Sequence, residues 1–393
     1  MIKPDEAIDI IIENTSLSDI QTKNILDCMD FVLAEDIYSS EDLPSFDKSA
    51  MDGYAIKIND EKEFEIIGTI KAGDYYNDEL QSGKTLKIMT GAAFPNGADS
   101  VIQIEKVDVK DNKLIIHDEV EKGLNVIKKG SQIKSNDLVL KKGTVIRPYE
   151  IGLLASLGYD KLKVYGSPDV SLLITGDELV DINEKLENGK IRNSNGYSLF
   201  GLVKRSGANP LSMNIVKDNK DILKQSIIDA FEKSDIVITS GGASVGDYDF
   251  VEDVLEEIGA DVKFRKIKIK PGKPLVFAKY NEKLFFGLPG NPLSSINVFE
   301  QFVQAAISKM IGKSTEYDYI DLIAGEDFKD KKGRTTYFYV NIKKHKDKYY
   351  AYKSGGQSSN SLKTISNSNG LIVIPEKVEN VKMGEFIKGR FLI

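Results

Sequence analysis

From about residue 167 the chain alternates between two hydrophobic rhythms. Short apolar runs, "DVSLLIT" (169–175), "PLSMNIV" (210–216) and "DIVITS" (235–240), read as strands. Between and after them, 195–206, 219–233 and 250–258 carry a helical period. "PLVFAKY" and "LFFGL" follow as strands, and a long helix is predicted over 292–310. Strands alternating with helices of this length predict a doubly wound α/β sheet. Residues 60–140 have another rhythm: "FEIIGTI", "TLKIM", "DSVIQIEKV", "KLIIHDEV" and "DLVLKKGTVI" are short apolar runs separated by Gly, Asn and Asp, as in a β-rich domain. "KVDVKDNKLII" (106–116) predicts a hairpin that turns at Asp111-Asn112. Residues 4–14 read as a helix with Pro4 in its first turn, and 149–158 as a helix ending at Gly158. Residues 313–393 predict a small β-barrel or sandwich, with "TYFYVNIKKHKDKYYAYKS" as a hairpin.

Composition narrows the chemistry. A chain of 393 residues is longer than one core usually organises, so two to four domains are expected. The 53 Lys and Arg against 60 Asp and Glu give a formal net charge of −7. A general nucleic-acid binder would show a basic footprint, so any anion site here must be local. Cys28 is the single cysteine, and His117 and His345 are the two histidines. That excludes an internal disulfide and a Cys/His zinc cluster, and leaves Ser-His-Asp catalysis few candidates. A metal, if used, is expected to be a hard cation on carboxylates. The opening "MIKPDEAIDI" lacks the basic-then-apolar order of a signal peptide, and no apolar run reaches membrane-spanning length, so a cytoplasmic protein is expected.

Against this acidic background, "RKIKIKPGKP" (265–274) packs five cations into ten residues. Strand alternation would put Lys266, Lys268 and Lys270 on one face and Ile267 and Ile269 on the other. That is either a solvated face or an anion site. Three further stretches lie where strands give way to loops. "TSGGASVGDYDF" (239–250) can let backbone N–H groups approach a phosphate, though Asp249 with Glu252 also fits an N-cap and capping box. "LITGDELV" (173–180) places Asp177 and Glu178 just past a strand, and Asp218 follows "MNIV" in the same way. These acids can coordinate Mg²⁺ or simply cap. "LPGNPLSS" (288–295) sets Asn291 and Pro292 at a helix start, which carries a partial positive charge. "FDKSAMDGYAI" (46–56) and "KIMTGAAFPNGADSVI" (87–102) read, by spacing alone, as turns with polar tips.

Taken together, in this order, "PSFDKSAMDGYA", "IMTGAAFPNGADSV", "TGDEL", "SGGASVGDYDF", "KIKPGKP" and "GLPGNP" resemble the molybdopterin molybdenumtransferase family, which includes the C-terminal domain of gephyrin. The resemblance runs along nearly the whole chain and is weakest after 313. It implies a multidomain α/β plus β fold. A discontinuous linking domain would span 1–45 and 140–166, and a β-rich insert 46–139. A molybdopterin-binding α/β domain would span 167–312, and a C-terminal β-barrel 313–393.

The implied reaction inserts molybdate, or tungstate, into adenylylated molybdopterin and releases AMP with the help of Mg²⁺. By motif position the resemblance gives catalytic roles to Asp52, Thr90, Glu178, Asp218, Asp249, Lys266 and Lys270. Asp249, with Glu178 and Asp218, would hold the metal. Ser240, Gly241, Gly242, Ser244 and Gly246 would cradle phosphate, with Pro289, Gly290 and Asn291 opposite. Arg334 and Ser359 would add anion contacts from the barrel. A homodimer is implied, with Asp52 and Thr90 entering the partner's site, as is transient contact with a molybdopterin adenylyltransferase. One departure stands out: in "KKGSQI" (128–133), Gln132 occupies a position where the family commonly has an acid. Two other readings are a non-catalytic clustering scaffold of the same fold and a molybdopterin adenylyltransferase. Retention of Asp52, Glu178, Asp249, Lys266 and Lys270 argues against the scaffold, and the flanks 1–166 and 313–393 argue against the adenylyltransferase.

Overall fold

The computed structural model describes residues 1–59, 61–241, 250–356 and 360–392. The chain divides into two compact units. One comprises Met1–Lys23, Asp30–Ala34 and Lys163–Ile393, the other Asn24–Met29 and Glu35–Leu162.

The larger unit is built on a six-stranded sheet ordered Asn209–Val216, Asp169–Thr175, Ile236–Ser240, Lys283–Leu288, Pro274–Tyr280, Asp261–Lys266. The first four strands are mutually parallel, and the last two are antiparallel additions. Alternation sorts the strand residues to two faces. Leu172, Ile174, Ile238 and Phe286 pack into one core, with Leu199, Val203 and Phe302 from the helices. Leu173, Val237 and Phe285 pack into another, with Ile227 and Leu255. The predicted doubly wound domain is therefore present. Its helices are Ser194–Arg205, Lys220–Lys233 and Val251–Glu257, together with the predicted long helix from Pro292 to Met310. That helix is interrupted by a π-helical segment, Phe299–Val303.

The lysine-rich stretch is not one strand. Lys266 ends the last strand of this sheet, and Ile269–Lys270 joins a different one, parallel to Thr335–His345. Burial still alternates, because Ile267 and Ile269 are both fully buried between half-buried lysines. The break falls where Ile2 intervenes: its N–H donates to Lys266 O, and its carbonyl accepts from Lys268 N–H.

The C-terminal strands form the predicted barrel rather than a sandwich. Thr335–His345, Lys348–Lys353, Ile320–Ala324, Phe386–Phe391 and Gly370–Ile374 pair in sequence, and the last pairs back with the first. Phe338, Val340, Ala351, Ile372 and Ile387 fill the interior.

The smaller unit carries a six-stranded mixed sheet ordered Ser100–Gln103, Gly53–Ile56, Lys84–Ile88, Glu63–Ile70, Lys113–Ile116, Val107–Lys110. Its final pair is the predicted hairpin. Asp111 and Asn112 both have positive φ, 49° and 62°, the geometry that a two-residue hairpin turn requires. The helix Pro148–Ser156 is followed by Gly158 at φ +79°, as its position after the apolar period predicts. Among the described residues, no helix is long and apolar enough to cross a membrane.

Candidate functional site

Three parallel strands of the larger unit end level with one another, at Ile174↔Ser240 and Ser240↔Leu288. Open α/β sheets bind ligands beyond this edge. A cavity of about 580 Å³ lies there, lined by Glu178, Arg192, Asn193, Ser194, Asn195, Ser240, Pro289, Gly290, Asn291 and Ser294 among others. Two helices start at its wall. Asn193 caps Ser194–Arg205, its Oδ1 accepting from Gly196 N–H at 2.8 Å. Asn291 precedes Pro292–Val298, where Pro occupies the first turn. Both helix starts turn backbone N–H groups and a partial positive charge toward the space between them.

Asn195 organises this edge, although the sequence reading passed over it. Its buried Nδ2 donates to Ser240 Oγ at 2.8 Å and to Gly290 O at 2.7 Å. Ser240 Oγ in turn donates to Pro289 O at 3.3 Å. Ser240 thus borders the cavity as a brace, with its hydroxyl already engaged. Gly241 is used similarly: its N–H donates to Leu288 O at 3.1 Å. It sits at φ +97°, and a Cβ there would lie 2.6 Å from Thr175 O, so only glycine fits. Gly242, Ser244, Gly246 and Asp249 lie outside the described residues.

Acidic residues gather at the neighbouring strand ends. Asp177 N–H donates to Asp218 Oδ2, and Asp218 N–H to Asp177 Oδ1, both at 3.3 Å. Burial pushes the Asp218 carboxyl above its usual range. The charges of Asp177 and Glu178 add to this, against the bond from Asp177 N–H. Glu178 borders the cavity, and Asp218 is not among its lining. Among the described residues no three acidic, His or Cys side chains are grouped closely enough to hold a metal by themselves.

A second pocket of about 430 Å³ is lined by Lys270, Lys273, Lys329, Arg334, Ser294 and Thr336, with Pro271, Gly272, Tyr337 and Phe338. Among the described residues it presents four cations and no acid. Ser294 lines this pocket and the first, so the two adjoin. Of the two lysines given a role by family resemblance, Lys270 reaches this pocket, and Lys266 is not in its lining. Arg334 lies here, with Nη1 3.5 Å from Ile269 O. Ser359 is outside the described residues. Lys273, Lys329 and Thr336 were not singled out by the sequence. Lys273 stood in plain view within "KPGKP", but Lys329 and Thr336 reach the pocket only because the barrel packs beside this loop.

In the smaller unit Asp52 and Thr90 meet. Thr90 N–H and Oγ1 donate to Asp52 Oδ1 at 2.7 and 2.8 Å, in a cleft of about 400 Å³ that also takes Gln103, Glu105 and Lys106. These two bonds, backbone first, hold the Asp52 carboxyl below its usual range, with Lys87 adding a little. Gln132 is exposed, its N–H bonded to Leu43 O at 3.0 Å.

A polar cavity at the edge of a doubly wound sheet, beside a cationic pocket completed by a β-barrel, defines a multidomain small-molecule-binding α/β protein. Its residues 2–158 match the family model described as MoeA N-terminal region (domain I and II). Residues 171–309 match that described as Probable molybdopterin binding domain, and 321–388 the MoeA C-terminal region (domain IV). The chain is 35% identical over 394 residues to the molybdopterin molybdenumtransferase of Staphylococcus aureus (strain COL), covering 97% of this chain and 93% of that one. It is also 35% identical over 374 residues to the Haemophilus influenzae protein of the same name, covering 93% and 92%. Among solved structures, the molybdopterin biosynthesis MoeA protein from Pyrococcus horikosii superposes with a TM-score of 0.86 at 29% identity, covering 100% of this chain and 99% of that one. The chain belongs to the MoeA family of molybdopterin molybdenumtransferases.

Proposed function

We propose that this protein inserts molybdate into adenylylated molybdopterin and releases AMP. The observation that carries this reading is the pair of adjoining pockets that share Ser294. The first has a volume in the range of small-molecule sites and two helix starts suited to phosphate. The second offers Lys270, Lys273, Lys329 and Arg334 to a tetrahedral dianion. An oxyanion held there lies next to the cofactor precursor, which supplies proximity without further motion. Tungstate, of the same shape and charge, fits the same pocket.

In this reading Asn195 and Ser240 keep the strand edge and the 289–291 loop rigid, so that Gly290 and Asn291 present backbone to the phosphates. Lys270 and Arg334 hold the oxyanion. Lys266, Gly242, Ser244, Gly246 and Ser359 keep the roles that the motifs suggest. The raised carboxyl of Asp218 beside Asp177 and Glu178 is an environment that a divalent cation relieves. Glu178, Asp218 and Asp249 would hold Mg²⁺, which when bound neutralises charge on the leaving phosphate. A homodimer in which Asp52 and Thr90 serve the partner's site, transient delivery from a molybdopterin adenylyltransferase, and a cytoplasmic setting complete the proposal. So does the division into 1–45 with 140–166, 46–139, 167–312 and 313–393.

The test is direct. Purified protein is incubated with adenylylated molybdopterin and molybdate, and AMP release and bound molybdenum are measured. The reading requires AMP release that depends on molybdate, and molybdate-independent release or none at all would sink it.

A further inference from the structure

Among the described residues, Lys270 is the one lysine of the cationic pocket whose ammonium is held by an acid. Its Nζ lies 2.7 Å from Asp330 Oδ1, and the two side chains differ sharply in exposure, 44% for Lys270 and 1% for Asp330. Asp330 follows the short strand Phe328–Lys329, and its own N–H donates to Glu379 O at 2.8 Å, which anchors the main chain that carries the buried carboxylate. Its Oδ2 is buried and, among the described residues, without a hydrogen-bond partner. The ion pair with Lys270 is the only one that it makes among those residues. Asp330 does not line the pocket, whereas Lys270 does.

A lysine is a point charge on a flexible stem, and an exposed one samples many positions. Lys273 and Lys329 border the same pocket, are exposed, and make no ion pair among the described residues. Lys270 differs because a buried acceptor takes one of its three N–H donors and sets the position of the other two. A carboxylate that has lost its water is compensated chiefly by that ammonium, which makes the pair resist separation.

We propose that Asp330 is a positioning residue that presets Lys270 for the oxyanion, an inference that rests on the function proposed above. Asp330 touches neither substrate. It acts through the ammonium, by fixing where the two remaining N–H donors point when molybdate arrives.

The experiment is a double-mutant cycle on the full-length protein, with AMP release followed at varied molybdate and saturating adenylylated molybdopterin. Asp330→Asn keeps the shape and removes the charge. It is expected to raise the molybdate KM about tenfold, with kcat changed much less. Lys270→Met should raise the KM at least as much. In the Lys270→Met background, Asp330→Asn should add nothing, because the group it acts through is gone. A purely structural Asp330 would lower the unfolding midpoint and leave the molybdate KM alone. Asp330→Glu, which keeps the charge but moves it by a methylene, carries the same test if the Asn variant does not fold. An unchanged KM in a folded Asp330 variant, or an additive effect in the Lys270→Met background, overturns the proposal. If Lys270→Met itself leaves the molybdate KM unchanged, the oxyanion reading of the pocket fails, and the positioning role falls with it. The cycle therefore separates the two failures.

Discussion

Thr90 gives both its backbone N–H and its hydroxyl to one oxygen of Asp52, across 38 positions of sequence. The second oxygen of the carboxylate stays available at an exposed cleft. An aspartate held this way is ionised and oriented before any ligand arrives.

Thr90→Val keeps the side-chain shape and removes one of the two bonds. Without the hydroxyl the carboxylate is less firmly held, so kcat/KM for AMP release is expected to fall roughly tenfold. A carbon-detected titration should find the Asp52 carboxyl moved back up toward its ordinary range. Asp52→Ala should be far more damaging. If the site is shared between subunits, Asp52→Ala mixed with Asp249→Asn under subunit exchange should recover about a quarter of wild-type activity, because half the dimers pair the two variants and each such dimer has one intact site. No recovery despite demonstrated exchange would show that each subunit works alone.

Asn195 makes a different kind of prediction. Its amide donates to two acceptors, Ser240 Oγ and Gly290 O, on separate elements. Asn195→Leu takes the donor from the buried Ser240 hydroxyl and from the Gly290 carbonyl at the exposed rim, at a cost of about 1 kcal/mol. The urea midpoint should fall with an unchanged slope, and calorimetry should find AMP bound about tenfold more weakly. Asn195→Asp should be worse for binding, since it sets a carboxylate oxygen against the Gly290 carbonyl. If either variant binds AMP as the wild type does, Asn195 has no part in shaping the cavity.

Acid stability provides a third test, away from the site. Glu150 accepts from Arg147 Nη2 at 2.6 Å, Nε at 3.0 Å and the backbone N–H at 2.9 Å, at the start of Pro148–Ser156. The Arg147 guanidinium, then the backbone bond, hold its carboxyl down at about 2, from an ordinary 4.5. A folded-state value below the unfolded one means that the stability is fully present above about pH 4.5 and is lost as pH falls toward 2. Glu150→Gln should cost about 1 kcal/mol at neutral pH and only a small fraction of that at pH 2, where the carboxyl is half protonated. Denaturant midpoints measured across that window check it, and a constant difference at every pH would contradict the assignment.

The strands and helices of the α/β domain were legible because their periods differ and each element is long enough to display one. The hairpin at Asp111-Asn112 and the helix end at Gly158 were legible because positive φ restricts which residues can stand there. The lysine run was only half legible. Alternation correctly buried Ile267 and Ile269, but it could not reveal that Ile2, from the far end of the chain, breaks the run into two strands of different sheets. Nor could spacing divide the lysines, since Lys266, Lys268 and Lys270 are equivalent in pattern and of the three only Lys270 lines the cationic pocket.

By itself, then, the sequence determined the family, the order of elements and the loops at the strand ends, because these depend on local period, turn chemistry and motif order. Tertiary structure alone decided which side chains meet. Asn195 reaches Ser240 across 45 positions, and Lys270 reaches Asp330 across 60. Such contacts depend on how the strand ends, the adjoining loops and the barrel come to pack, and no local pattern encodes that distance. The same packing engages Ser240 Oγ and Gly241 N–H, two of the groups expected to cradle phosphate, with the protein acceptors Pro289 O and Leu288 O.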